Sequence, residues 1–137
     1  SELEVIPGAQ ALLDAVSVPM CVVSNGPVSK MQHSLGRTGL LRHFTDRLYS
    51  GYDIQRWKPD PALMFHAAEA MQVKAENCIL VDDSSAGAQS GIAAGMEGFY
   101  FCADPHNQPI DHPKVTTFTD LAELPALWQA RGWDITR

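Results

Sequence analysis

Two adjacent carboxylates, Asp82 and Asp83, stand where a strongly apolar segment of the chain ends. Like charges placed side by side repel each other unless a positive group lies between them. A hard divalent cation such as Mg²⁺ takes oxygen ligands, commonly including one or two carboxylates, while it bridges a phosphate. The pair therefore predicts a magnesium site, although Asp83 or Ser84 at this place would also serve as the cap of a following helix.

A second set of polar groups, Ser24-Asn25-Gly26, follows another short apolar segment. A turn between a strand and a helix offers an anion a hydroxyl, unpaired backbone N–H groups and the positive end of the helix dipole. This chemistry suits a phosphoryl oxygen, and it makes Ser24 and Asn25 candidate phosphate ligands. The same residue types are also the commonest turn formers, so a simple turn with a helix cap is the alternative.

The third candidate is Lys58, which lies between Trp57 and Pro59 in a polar segment that leads into a helix. Its ammonium group is a compact point charge that can neutralise a phosphate and nearby carboxylates. A solitary lysine is more often a solvated surface residue. The order of the groups favours the chemical interpretation, because Lys58 follows Ser24 by 34 residues and precedes Asp82 by 24.

These groups must be positioned by the alternation of apolar strand-like segments with helix-like segments. Strands are predicted over residues 20–23, 47–50, 78–81, 99–102 and 115–118, and helices over 7–16, 28–41, 61–71, 85–94 and 120–131. Strands that are apolar throughout indicate a parallel sheet with helices on both faces, an α/β, Rossmann-like architecture. Ligands bind beyond the carboxyl ends of such strands, where Ser24 and Asp82 are expected to lie.

The composition fits one globular domain of 137 residues, 45% of them hydrophobic. The formal charge is −6 and no run of Lys or Arg occurs, which argues against nucleic acid or an anionic membrane as a partner. No apolar stretch reaches the roughly 20 residues of a membrane span, so we expect a cytoplasmic protein. The three cysteines lack CxxC spacing and are predicted to be buried, reduced thiols: Cys21, Cys78 and Cys102.

The segments VVSNG, KPDP and ILVDDSSAGAQSGIAAGM resemble motifs two, three and four of the haloacid dehalogenase-like hydrolases, particularly the β-phosphoglucomutase-like branch. The resemblance spans nearly the whole chain. It implies a Mg²⁺-dependent phosphatase of small sugar phosphates or sugar-acid phosphates that works through an aspartyl-phosphate. By this resemblance Ser24 and Asn25 would bind the phosphoryl group, and Lys58 would neutralise charge on the phosphate and the nucleophile. Asp82 and Asp83 would hold Mg²⁺.

The family's first motif, DxDx(T/V), supplies the aspartate nucleophile and the general acid and base, and it has no match in this sequence. The segments 104–106 and 111–113 follow late strands and have the wrong order. We therefore expect residues 1–137 to be the C-terminal part of a core domain, without its cap domain and without the central strand between those ending in Ser24 and Asp82. Such a chain would be inactive alone, and its gap would be filled by rearrangement, by another chain or by a separately retained N-terminal segment. The exposed sheet edges also lead us to expect self-association.

The competing hypothesis is a non-catalytic α/β module that binds a phosphate or a phosphorylated partner with the same anion site. Receiver-like domains also carry an acidic pair and a lysine. They place the acidic pair near the start and the lysine later, whereas Lys58 precedes Asp82 here. The order of the residues therefore favours the phosphatase.

Overall fold

Helices and parallel strands alternate through the residues that the computed structural model describes, 9–102 and 108–137. The strands are β1 (Val22–Ser24), β2 (Leu48–Ser50), β3 (Ile79–Asp82), β4 (Glu97–Phe101) and β5 (Val115–Phe118). The helices are α1 (Ala9–Ala15), α2 (Val28–Thr38), α3 (Gly51–Ile54), α4 (Ala62–Ala70), α5 (Ser85–Ala93) and α6 (Leu124–Ala130). The predicted α/β class is confirmed. Over these ranges, none of the helices combines the length and apolar character that crossing a bilayer requires.

The described strands form two separate parallel sheets. β1 pairs with β2, with Ser24 opposite Ser50 at their carboxyl ends. β3, β4 and β5 form the second sheet in that order, with Asp82 opposite Tyr100. No backbone pairing joins β1 to β3 within residues 9–102 and 108–137. The carboxyl ends that carry Ser24 and Asp82 therefore belong to different sheets.

A groove of about 1050 Å³ lies between the two sheets and is lined by residues of both β1 and β3. Val81 of β3 is 42% exposed, and Leu80 and Val23 are half-buried. The prediction of strands at these places is confirmed, but the prediction that they are buried is wrong. Their apolar side chains are only partly covered because they line the groove.

Three clusters of buried side chains pack the helices against the sheets. One lies around β4, β5 and α6, a second lies between α2 and β2, and the third is formed by Met64, Ala68, Ala94 and Met96. The third cluster contacts both Val23 of β1 and Leu80 of β3. It therefore links two sheets that share no backbone hydrogen bonds.

The main difference in secondary structure is α3, which forms in the polar segment between the strand predicted over 47–50 and the helix predicted over 61–71. Ser50 and Asp53 form a capping box: the Ser50 hydroxyl accepts from the Tyr52 N–H at 3.1 Å, and Asp53 Oδ2 accepts from the Ser50 N–H at 2.9 Å. This local pair starts a single turn that periodicity does not reveal, since four residues are too few to show a period. The predicted start of the first helix at Pro7 lies outside the described residues.

The three cysteines are half-buried rather than buried as predicted. Cys21 and Cys78 both line the groove, which explains their partial exposure. Burial raises the pKa of the Cys21 thiol to about 11; the neighbouring Cys78 thiol adds to the increase and Arg47 opposes it. Cys21 is therefore protonated at neutral pH, consistent with a reduced thiol.

Candidate functional site

Lys58 connects the carboxyl ends of the two sheets. Its Nζ donates to the carbonyl oxygen of Val23 at 2.9 Å and to Asp82 Oδ2 at 3.0 Å. The Lys58 side chain is 9% exposed and that of Asp82 is 13% exposed. Water screens such a covered pair less than a surface pair, so each charge strongly holds the other in place. The structure thus brings Lys58 and Asp82 together across 24 residues of sequence.

Asp82 is oriented by the start of α5. Its Oδ1 accepts hydrogen bonds from the Ser84 N–H at 3.0 Å and from the Ser84 hydroxyl at 3.1 Å. The Ser84 hydroxyl also accepts from the Gly87 N–H at 3.0 Å and thereby caps the helix. Ser84 is therefore the cap that the alternative interpretation offered. The cap and the charged site coexist because the same serine also holds the Asp82 carboxylate.

Ser24 is the last residue of β1 and is 7% exposed. It directly follows Val23, whose carbonyl oxygen accepts the hydrogen bond from Lys58. Its hydroxyl oxygen accepts from the Gly26 N–H at 3.0 Å, which closes a tight turn before α2. α2 begins after Pro27, which makes no side-chain cap bond. The turn that the alternative interpretation expected is present. It leads into a helix N-terminus, which is the setting that the phosphate-ligand hypothesis requires.

Asn25 contacts the backbone of the lysine residue. Its Oδ1 accepts from the Lys58 N–H at 2.8 Å, and its Nδ2 makes a long bond of 3.5 Å to the Lys58 carbonyl oxygen. We predicted Asn25 as a phosphate ligand. In the structure its amide holds the residue that carries the positive charge, so it lies within the site but contacts another part of it.

The donor set suits Mg²⁺ only in part. Two carboxylates match the number that this ion commonly takes from a protein. However, no group of three or more His, Cys, Asp or Glu residues in the described part of the chain could hold a metal ion. Both oxygens of Asp82 already accept hydrogen bonds, from Lys58 and Ser84. The positive group that we expected beside the acidic pair is, for Asp82, the Lys58 ammonium.

Sequence reasoning missed two buried serines that support the site. Ser50 and Ser90 are both 0% exposed. The Ser50 hydroxyl donates to the Gly26 carbonyl oxygen at 2.6 Å, and the Ser90 hydroxyl donates to the Asp60 carbonyl oxygen at 2.8 Å. The only signal in the sequence was a serine at a position where the pattern predicts burial. A buried hydroxyl requires a partner, but the pattern does not identify that partner.

Replacing Ser50 with alanine is expected to destabilise the protein by about 1–3 kcal/mol, because the Gly26 carbonyl and the Tyr52 N–H both lose a buried partner. Urea unfolding followed by circular dichroism measures the change. Ser29→Ala is the matched control, since Ser29 is exposed in α2 and should change stability by less than about 0.5 kcal/mol. Equal urea midpoints for the two variants would contradict the stabilising role of the Ser50 hydroxyl.

The structure is a parallel α/β protein with a lysine–aspartate ion pair beside the carboxyl ends of its strands. Comparison with known protein families identifies the family to which it belongs. Residues 1–95 match the model of the haloacid dehalogenase-like hydrolases. The chain belongs to this family.

The chain is 76% identical over 136 residues to the 6-phosphogluconate phosphatase of Escherichia coli (strain K12). The match covers 99% of the chain and 62% of that relative's length. A haloacid dehalogenase-like protein of Agrobacterium tumefaciens superposes with a TM-score of 0.81 at 26% identity, covering 93% of the chain and 61% of that protein. A family hydrolase of Deinococcus radiodurans, solved with bound phosphate and sodium, gives 0.79 at 26% identity, covering 96% and 62%.

Proposed function

We propose that the chain is the C-terminal part of the core domain of a cytoplasmic, Mg²⁺-dependent phosphatase that hydrolyses a small phosphorylated sugar acid, 6-phosphogluconate. The observation that carries the proposal is the Lys58–Asp82 ion pair. It places the Lys58 ammonium beside the end of β1, where the candidate phosphate ligand Ser24 lies. The choice of substrate is supported by the 76% identity to the 6-phosphogluconate phosphatase of Escherichia coli. An aspartate outside this chain would attack the phosphorus, breaking its bond to the substrate's ester oxygen, which leaves as the protonated hydroxyl of the sugar acid. Water would then hydrolyse the aspartyl-phosphate, releasing inorganic phosphate and the free aspartate.

The residues of this chain would act through position and charge. Phosphoryl transfer depends mainly on holding the phosphate and offsetting its charge. Ser24 would bind a phosphoryl oxygen with its hydroxyl, beside the first N–H groups of α2. Lys58 would offset charge on the phosphate and on the attacking aspartate. Asp82 and Asp83 would hold Mg²⁺, which supplies further charge compensation on the phosphate oxygens when it is bound.

We propose further that the groove between β1 and β3 takes the central strand of the N-terminal segment, and that the cap domain also lies in that segment. The apolar lining of the groove and the parallel direction of every described strand pair support a buried parallel strand there. The Lys58 ammonium lines the same groove and would attract acidic residues that follow such a strand. On this proposal the chain has no activity alone. The alternative is that two copies of the chain associate through their open grooves in the absence of the N-terminal segment.

The test compares the full-length protein, this chain alone, and this chain produced together with the separate N-terminal segment. We expect 6-phosphogluconate to be hydrolysed by the first and third samples and not by the second, with loss of turnover when Mg²⁺ is chelated. Turnover by the chain alone would refute the need for the segment. A full-length protein that binds phosphate without turnover would instead support a binding module, and sedimentation of the chain alone would detect self-association.

A further inference from the structure

Ser90 is a buried hydroxyl that reaches out of its own helix. It lies inside α5, and its side chain is 0% exposed. A serine within a helix usually points to solvent or bonds to its own helix backbone. The Ser90 Oγ instead donates to the carbonyl oxygen of Asp60 at 2.8 Å, 30 residues earlier in the chain. This bond connects α5 directly to the loop that carries Lys58.

The same loop is held on its other side by β1. The Lys58 N–H donates to Asn25 Oδ1 at 2.8 Å, just beyond the end of β1. Asp60 lies two residues after Lys58, so the two bonds enclose a three-residue segment. One bond fixes this segment to the β1 side of the site and the other fixes it to the β3 side. The segment therefore cannot shift toward either sheet without breaking one of them.

The rest of the loop is also constrained. Asp60 Oδ1 accepts from the Ala62 N–H at 2.7 Å, and its Oδ2 pairs with Arg56 at 2.9 Å. These hydrogen bonds lower the pKa of Asp60. A Cβ at Gly51 would collide with the Trp57 ring, so the indole lies directly against the start of α3. These contacts join the loop to itself and to the start of α3, and the Ser90 bond attaches it to α5.

We propose that Ser90 is a positioning residue for Lys58: its hydroxyl holds the lysine loop at the distance from α5 at which Nζ reaches both Val23 O and Asp82 Oδ2. α5 also orients Asp82 through Ser84 and Gly87. One helix thus positions both members of the ion pair, the aspartate at its first turn and the lysine through Ser90. The effect on turnover rests on the proposed phosphatase activity, whereas the effect on the ion pair is a property of this chain.

The first experiment observes the lysine ammonium groups of the full-length protein by ¹H–¹⁵N NMR. The wild type should show a slowly exchanging ammonium resonance that Lys58→Met removes. Ser90→Ala should speed its exchange at least about fivefold, since a displaced loop breaks contacts of Nζ. Ser85→Ala is the matched control: it removes the hydroxyl of an exposed serine of the same helix, which accepts a hydrogen bond from Gln89 Nε2 at 3.0 Å. Ser90→Cys is similar in size to the wild type, but its thiol is a weaker hydrogen-bond donor, so its exchange rate should lie between those of the wild type and Ser90→Ala. This variant replaces Ser90→Ala in the experiment if the alanine variant unfolds.

The second experiment measures 6-phosphogluconate hydrolysis by the same variants. Ser90→Ala should lower kcat about tenfold, beyond its loss of folded protein, with KM changed less than kcat. A protected ammonium resonance in Ser90→Ala, with activity lowered only in proportion to the folded fraction, would overturn the positioning role. If the wild type does not turn over and the resonance still responds to Ser90→Ala, the proposed function fails while the positioning of Lys58 stands.

Discussion

Replacing Lys58 with methionine in the full-length protein is expected to lower kcat for 6-phosphogluconate by about 10²–10³-fold, because a fixed charge at the reacting phosphate is lost. Methionine fills similar space without the ammonium. Steady-state kinetics at saturating Mg²⁺ measures the change. Lys74→Met is the control, since Lys74 is exposed and its substitution removes the same charge away from the site.

The same substitution tests the ion pair apart from activity. Without the ammonium, the Asp82 carboxylate and the Val23 carbonyl both lose a partner in a covered site. We expect the free energy of unfolding to fall by about 1–3 kcal/mol, since a partly buried charge then lacks its opposite. Lys58→Arg keeps the charge but not the compact point donor, and should restore stability better than activity. A Lys58→Met enzyme within about threefold of the wild-type kcat would refute the role of Lys58.

The assembly of the site at one edge of the fold could be predicted because its residues follow apolar strand-like segments. Parallel strands of one sheet end on the same side, so assigning both segments to a parallel sheet predicted that Ser24 and Asp82 lie at one edge. In the structure the two strands belong to different sheets, and Lys58 joins their ends. The position of Lys58 could not be derived in this way. It lies on a loop whose packing depends on tertiary hydrogen bonds, such as the one that the Lys58 N–H donates to Asn25 and the one that Ser90 donates to Asp60.

Burial was the least predictable property. The apolar residues of β3 correctly predicted a strand, but composition shows only that a segment favours burial, not what covers it. Val81 remains exposed beside the groove. The single-turn helix α3 was missed for a different reason: its formation depends on the two reciprocal hydrogen bonds of Ser50 and Asp53.

Gly87→Ala is the second large expected effect, and it tests the geometry around Asp82 without removing any functional group. A Cβ at position 87 would collide with the Asp82 carboxylate. That carboxylate would have to rotate away from Lys58 and from Ser84, and the overpacking should cost about 1–3 kcal/mol of stability. We expect kcat to fall about 10²-fold and the Mg²⁺ concentration needed for half-maximal activity to rise, since one of the proposed metal ligands is displaced.

Gly36→Ala is the matched control for this prediction, because Gly36 lies within α2 and a Cβ there would meet nothing within 4 Å. Alanine in a helix interior is favoured over glycine by about 0.5–1 kcal/mol, so this variant should be more stable than the wild type and fully active. The change in the free energy of unfolding should therefore have opposite signs in the two variants. This difference separates the steric effect at Asp82 from the effect of helix propensity. If both variants gain stability and keep their activity, the Asp82 carboxylate does not occupy the position that its bonds to Lys58 and Ser84 give it.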